Sequence, residues 1–251
     1  MATATLPERN SAGLRRDRAY DNYFFSAMAL LILITVFVGF ARTYFLAGVF
    51  RAPLPNLLIH IHGAVFSSWI LLLVTQIGLV SAHRVDIHRK LGLVGFGLAC
   101  VMVVLGELAA RDMLARGEAP PGFSPGPLVF YAIPFFGILM FGTLIYFAYR
   151  MRSNPSAHKR LILIATIGIL DAPTGRPPFT VITARPFMDS VFIYAFLLLL
   201  VAYDLWSLRK VHRATLWGSL FLLIAGQLRV PIGSTGPFLA FAGWMQHLFR
   251  H

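Results

Sequence analysis

The sequence predicts an all-α membrane protein. It reads as a polytopic integral bundle of seven transmembrane helices, one helix followed by three helical hairpins, N-in and C-out. Three observations predict this. Of 251 residues, 57% are hydrophobic and only 13% are charged, where a soluble domain carries about 25% charged residues. Apolar runs of about 18 or more residues recur, enough for a helix to cross a hydrocarbon core of about 30 Å. The cations behind the net charge of +12 sit in short loops between those runs. That is a topology signal and argues against a nucleic-acid partner. Backbone groups in lipid must be satisfied within their own segment, which requires helices.

The elements follow in order. Residues 1–20 are polar and basic and read as a flexible cytoplasmic tail, leaving 21–251 as a single transmembrane domain. The first span, Tyr23 to about Leu46, exceeds the roughly 7–15 apolar residues of a signal peptide and is read as uncleaved. The second, about Leu57 to Ala82, holds His60, His62, Trp69 and Gln76. A polar loop with His83, Arg84, Asp86 and His88 leads to the third, about Leu91 to Ala110, with Glu107 near its end. After a Pro/Gly-rich loop, the fourth span runs from about Pro127 to Tyr149. The fifth starts at Leu161 and is expected to break at Pro173, Pro177 and Pro178. The sixth, about Ser190 to Trp206, contains Asp204. The seventh starts near Thr215 and is expected to break at Arg229, Pro231, Gly233 and Gly236. Residues 237–246 then finish the span or lie along the interface. With the N-terminus inside, inner segments hold 14 Lys/Arg and outer segments 8, which favours N-in and C-out. The lone cysteine, Cys100, cannot form an intrachain disulfide.

The chain is organised around His158-Lys159-Arg160-Leu161 and the apolar run after it. The plan recurs at His88-Arg89-Lys90-Leu91 and at His212-Arg213. Topology puts His88, His158 and His212 at one level, the cytoplasmic mouths of spans three, five and seven. Three readings stay open there. The histidines converge on a transition metal, or two of them hold a haem b iron axially with neighbouring cations near the propionates. Alternatively the clusters take an anionic ligand. The plainer reading is that they anchor helix ends among headgroups.

The opposite end gathers a second set. Glu107, Arg176 and Arg229 lie roughly 25–28 Å from the entrance histidines at 1.5 Å per residue. His60 and His62 enter span two from the same side. Being two residues apart, they point about 200° apart and cannot both face one ion. His60, His62, Glu107, Asp171, Arg176, Gln227 and Arg229 form the candidate ligand-binding set. Paired broken helices are a pointer to a transport site, and ion-pair glue between helices is the alternative. Other chemistries lack their residues. There is no Gly-rich phosphate loop, no H-E-x-x-H, no di-iron histidine spacing, no lysine in span seven and no Ser/His/Asp arrangement.

The segments His60-Ile61-His62-Gly63, Trp69, Gln76, His88-Arg89-Lys90-Leu91-Gly92, His158-Lys159-Arg160-Leu161 and Tyr203-Asp204-Leu205 resemble a family of uncharacterised bacterial multi-pass membrane proteins, from about residue 40 onward. The resemblance implies a fold and a bacterial inner-membrane location, and it implies no chemistry. A weaker likeness is to membrane b-type cytochromes, which place histidines near both faces of a bundle. Three functions follow as expectations: a haem- or metal-binding redox protein, a small-molecule or ion transporter or ligand binder, and a structural or assembly protein. The bilayer is the expected partner. A small ligand or partner protein is not specified.

Overall fold

In a computed structural model the protein is a helical bundle. The structure describes residues 9–53, 55–120, 123–183 and 190–249, and no strand occurs among them. Residues 1–8 of the expected tail, and Arg185 and Arg250 from the orientation count, lie outside the described residues. Among the described residues twelve α-helices follow one another: α1 (Arg9–Phe40), α2 (Ala47–Phe50), α3 (Leu57–Ser81), α4 (Val85–Ala115), α5 (Pro127–Phe130), α6 (Ala132–Arg150), α7 (Pro155–Gly168), α8 (Asp171–Thr174), α9 (Thr180–Thr183), α10 (Val191–Leu208), α11 (Arg213–Gly233) and α12 (Gly236–Phe249). A π-helical turn, Ala41–Phe45, extends α1. Helix α1 therefore reaches back to Arg9, into the segment expected as a tail.

Among the described residues six helices are long and apolar enough to cross a membrane: 20–45, α3, α4, the α5–α6 unit, α10 and α11. Their outward faces are apolar as well. Leu30, Ile34 and Phe37 on α1, Leu93, Val94, Val101 and Val104 on α4, and Trp217, Ile224 and Leu228 on α11 are all exposed. A belt of this kind would drive aggregation in water and is at rest against acyl chains.

The centre is α7. Nine of its residues are buried, among them Leu163, Ile164, Ala165 and Ile167, and it packs against α6, α10 and α11. Its composition explains this: Leu161 to Gly168 is apolar or small on every face, so it can be surrounded. Small residues let neighbours close in. A Cβ at Gly218 would come within 2.9 Å of Ile164, and one at Gly39 within 2.7 Å of the Pro173 Cβ. Trp69 on α3 reaches this core and donates its indole N–H to Thr166 Oγ1 at 3.1 Å.

Both expected breaks occur, at Pro177-Pro178 and between Gly233 and Gly236, but Pro173 and Pro231 lie inside helices. Helix α7 ends at Gly168, and Ile169 and Leu170 form a tightened turn onto Thr166 and Ile167. Helix α8 then carries Pro173 as its third residue. A proline disrupts the turn before it, because its ring excludes the carbonyl four residues back. The interruption therefore precedes Pro173 by one turn. Helix α11 continues through Arg229 and Pro231 to Gly233. Its end is closed by hydroxyls: Ser234 Oγ donates to the Val230 carbonyl at 2.9 Å and Thr235 Oγ1 to that of Ile232 at 2.7 Å. Residues 237–246 belong to a separate helix, α12. It packs with Ala110, Leu114, Tyr131 and Ala132 in a second, smaller core.

Candidate functional site

The His158-Lys159-Arg160 stretch occupies the first turn and a half of α7. Consecutive helical residues project about 100° apart, so the three side chains reach three different neighbours. His158 turns toward α6 and α4, with its Nδ1 2.9 Å from the Ala148 carbonyl. Ala148 lies in the last turn of α6, where carbonyls lack intrahelical partners. A carbonyl only accepts, so Nδ1 carries a hydrogen, and in the neutral ring Nε2 is the nitrogen with the free lone pair. Lys159 Nζ pairs with Asp21 on α1 at 2.6 Å and lies 4.6 Å from the Phe25 ring centre. Tyr203 donates to the same carboxylate at 2.7 Å.

Arg160 turns to α10. Its Nε and Nη2 donate to Asp204 Oδ1 at 3.0 and 2.5 Å, and the two side chains are 1% and 0% exposed. Nη1 donates to the Ser156 carbonyl at 2.9 Å. The second carboxylate oxygen of Asp204 accepts from the His212 N–H at 3.0 Å and from Thr215 Oγ1 at 2.5 Å. A carboxylate holding four donors, two of them from an arginine, is a fully satisfied buried charge. It also caps the start of α11.

His88 is the fourth residue of α4, as His158 is of α7. Both lie about one turn inside their helices. Their ring centres are 6.5 Å apart with planes at 84°, too far for a direct hydrogen bond between them. Arg89 and Lys90 beside His88 are exposed, so the two H-[RK]-[RK]-L motifs are unequal in burial. Gln76 of α3 closes on His88. Gln76 Nε2 donates to the His88 carbonyl at 3.3 Å; with the amide turned over, its nitrogen donates to His88 Nδ1 at 2.8 Å and its oxygen accepts from the Gly92 N–H at 2.9 Å.

His212 has a contact of its own. It is the N-cap of α11, and its Nδ1 accepts from the Ala214 N–H at 3.1 Å. His83 stands in left-handed backbone just past α3 and is exposed. Among the described residues no three His, Cys, Asp or Glu side chains are grouped to hold a metal ion. The structure thus brings two of the three expected histidines together and gives the third a capping task.

That task makes His212 pH-sensitive. It precedes α11, and burial, with Arg160 nearby, holds its pKa below the ordinary 6.5. A lowered folded pKa means that the folded state prefers neutral imidazole. Its stabilisation is complete above the unfolded pKa and is lost as pH falls through 6.5 toward the folded value. A melting series from about pH 8 to about pH 5 should show an acid-side decline that His212→Asn, a cap that does not titrate, largely removes. An equal decline in the variant would assign it to other groups.

The opposite-end residues separate into several clusters. His60 is exposed, its carbonyl accepting from Tyr44 Oη at 3.2 Å. His62 is half-buried, stacked on Phe66 at 4.1 Å, and its Nδ1 has no hydrogen-bond partner. Glu107 accepts from Arg111 at 2.9 Å and from Tyr131 at 2.5 Å. Arg176 donates to the Ala172 carbonyl and lies 4.5 Å over the Phe40 ring.

Asp171, Gln227 and Arg229 do come together. Arg229 pairs with Asp171 at 2.6 Å and donates to the Gly226 and Ile133 carbonyls at 3.0 and 3.4 Å. Gln227 donates to Tyr194. These residues line a cavity of about 10 Å³ with Ser190, the space of roughly one water molecule. A larger groove of about 240 Å³ is apolar, between Phe136, Met140, Phe221 and Leu228.

Sequence reasoning gave Asp204, Gln76 and Asp21 no role in a site. A lone aspartate in an apolar run was the available signal, since such a charge requires a partner. No protein-family model, no curated protein and no solved structure matches this chain.

Proposed function

We propose that this is a polytopic integral membrane protein that holds haem iron, or a single transition-metal ion, through His88 and His158. The observation that carries the reading is the pair itself: two half-buried imidazoles 6.5 Å apart, one with its Nδ1 tied to a backbone carbonyl. Ligating histidines usually donate their other ring nitrogen in this way. Two nitrogen donors suit a porphyrin, which brings four of its own, and a bare ion would complete its set with water. Iron in such a site supplies one-electron chemistry. The exposed Arg89 and Lys90 would meet propionates or headgroup phosphates.

The seven-span, N-in topology belongs to the same proposal. Helix α7 has 14 residues, roughly 21 Å of rise, short of a crossing by itself. Yet Lys159 meets Asp21 and Pro173 meets Gly39, both on α1. Asp21 and Gly39 are roughly 27 Å apart along a straight helix. The α7–α8 unit therefore runs parallel to α1 over nearly the thickness of a hydrocarbon core, which supports a seventh crossing. The cation bias then puts the histidine end inside.

Detergent-purified protein should show a Soret band that shifts on reduction, or stoichiometric bound metal. His158→Ala should abolish either one. Colourless, metal-free protein from cells supplied with both would overturn the reading. Weight would then move to Asp171 and Arg229, whose cavity of about 10 Å³ admits one water and no organic solute.

A further inference from the structure

We propose that Gln76 is a positioning residue that sets which nitrogen of His88 is free for a ligand, an inference that rests on the His88–His158 reading. The two histidines differ in what faces their Nδ1. His158 faces the Ala148 carbonyl at 2.9 Å, which accepts and cannot donate, so in the neutral ring its Nε2 is the free nitrogen. His88 faces a side-chain amide, and an amide can present either an acceptor or a donor.

With the Gln76 oxygen on the Gly92 N–H, its amide nitrogen donates to His88 Nδ1 at 2.8 Å. Neutral His88 then carries its hydrogen on Nε2, and that nitrogen cannot coordinate. For His88 to ligate through Nε2, its Nδ1 must be protonated and Gln76 must present oxygen. Rotation about the terminal amide torsion, which is broad and roughly two-fold, makes the exchange in place with no backbone motion. The amide nitrogen then faces the Gly92 N–H, a donor against a donor, and keeps the His88 carbonyl at 3.3 Å as its acceptor. The site therefore has one imidazole fixed in the ligating tautomer and one held out of it until a ligand arrives. Gln76 is half-buried between α3 and α4, with Gly92 opposite: a Cβ there would stand 3.6 Å from the amide nitrogen.

The test uses full-length protein labelled with ¹⁵N-histidine, freed of metal and haem, above neutral pH. Ring ¹⁵N–¹H correlations identify each tautomer without any ligand. The expected result is His88 with hydrogen on Nε2 and His158 with hydrogen on Nδ1. Gln76→Glu, whose carboxylate only accepts, should move His88 to the Nδ1–H form. Haemin and Zn²⁺ are then titrated separately into each protein. Gln76→Leu should weaken whichever probe binds by about 10–100-fold, the usual effect of losing an outer partner, and Gln76→Glu should restore or tighten it. His88 already in the Nδ1–H form in the wild type, or unmoved in Gln76→Glu, would overturn the role of Gln76. If the wild type binds neither probe, the cofactor reading fails, while the tautomer spectra still decide what Gln76 does. Should Gln76→Leu not fold, the Gln76→Glu spectrum alone is decisive.

Discussion

Replacing Asp204 by alanine should destabilise the protein by about 3–5 kcal/mol, the cost of stripping a buried ion of its partner. Arg160 would be left 1% exposed with two donors pointing at nothing, and α11 would lose the acceptor for its His212 N–H and Thr215 hydroxyl. Asp86→Ala provides the comparison. Its bridge to Arg84 has both side chains more than half exposed, and removing such a pair costs at most about 1 kcal/mol. Thermal denaturation in one detergent should rank the two far apart. Similar midpoints would mean that water reaches Asp204 and that the pair is not buried.

A second comparison separates charge from capping. Replacing both partners, Arg160→Met with Asp204→Leu, removes the stranded cation, and an apolar pair of similar volume often restores stability. Here recovery should be incomplete. The His212 N–H and the Thr215 hydroxyl lose their acceptor, and each unsatisfied buried group costs about 1–3 kcal/mol. Complete recovery would make Asp204 a counter-ion only. Partial recovery makes it the cap that joins α10 to α11. The same arithmetic bears on the histidine pair: α7 is held at this end by Asp204, Asp21 and the Ala148 carbonyl, so His158 sits on a fixed element.

Much of this arrangement was legible in the sequence. Apolar length alone identified the long helices, because lipid leaves a backbone few alternatives. The special status of His158-Lys159-Arg160 was also readable, since three polar groups at the start of an apolar run need three destinations. What the run could not reveal was which neighbours supply them. Asp21, Asp204 and Ala148 lie on α1, α10 and α6, and pairing across that distance depends on packing. The same limit explains His212. From spacing it matches His88 and His158, yet the chain enters α11 with residue 212 still extended, and the imidazole folds onto Ala214. The breaks fall at Pro177-Pro178 and between Gly233 and Gly236, while two of the expected prolines lie inside helices for local reasons. Pro173 acts one turn upstream through Ile169, and Pro231 sits where Ser234 and Thr235 take over the last carbonyls.

Arg229→Met should be the most damaging change at the opposite end, by about 3 kcal/mol or more, as expected when one partner of a largely buried pair is removed. The guanidinium is 10% exposed and Asp171 24%, so solvent relieves the stranded carboxylate only in part. Arg229 also ties three segments together: α11 through the Gly226 carbonyl, α6 through that of Ile133, and α8 through Asp171. Arg229→Lys keeps the charge but not the fork, since a lysine cannot donate to carbonyl and carboxylate in those fixed directions. It should recover part of the loss. Asp171→Asn leaves the arginine its two carbonyls and should cost less than Arg229→Met. The order of melting midpoints, wild type above Asp171→Asn and Arg229→Lys, and both above Arg229→Met, is what a three-way tie predicts. If Asp171→Asn were as damaging as Arg229→Met, the ion pair alone would hold this end, and the carbonyl contacts would add nothing. If all three variants melted with the wild type, the cluster around the one-water cavity would have no structural task, and a role in moving protons or ions through that end would be the reading to test next.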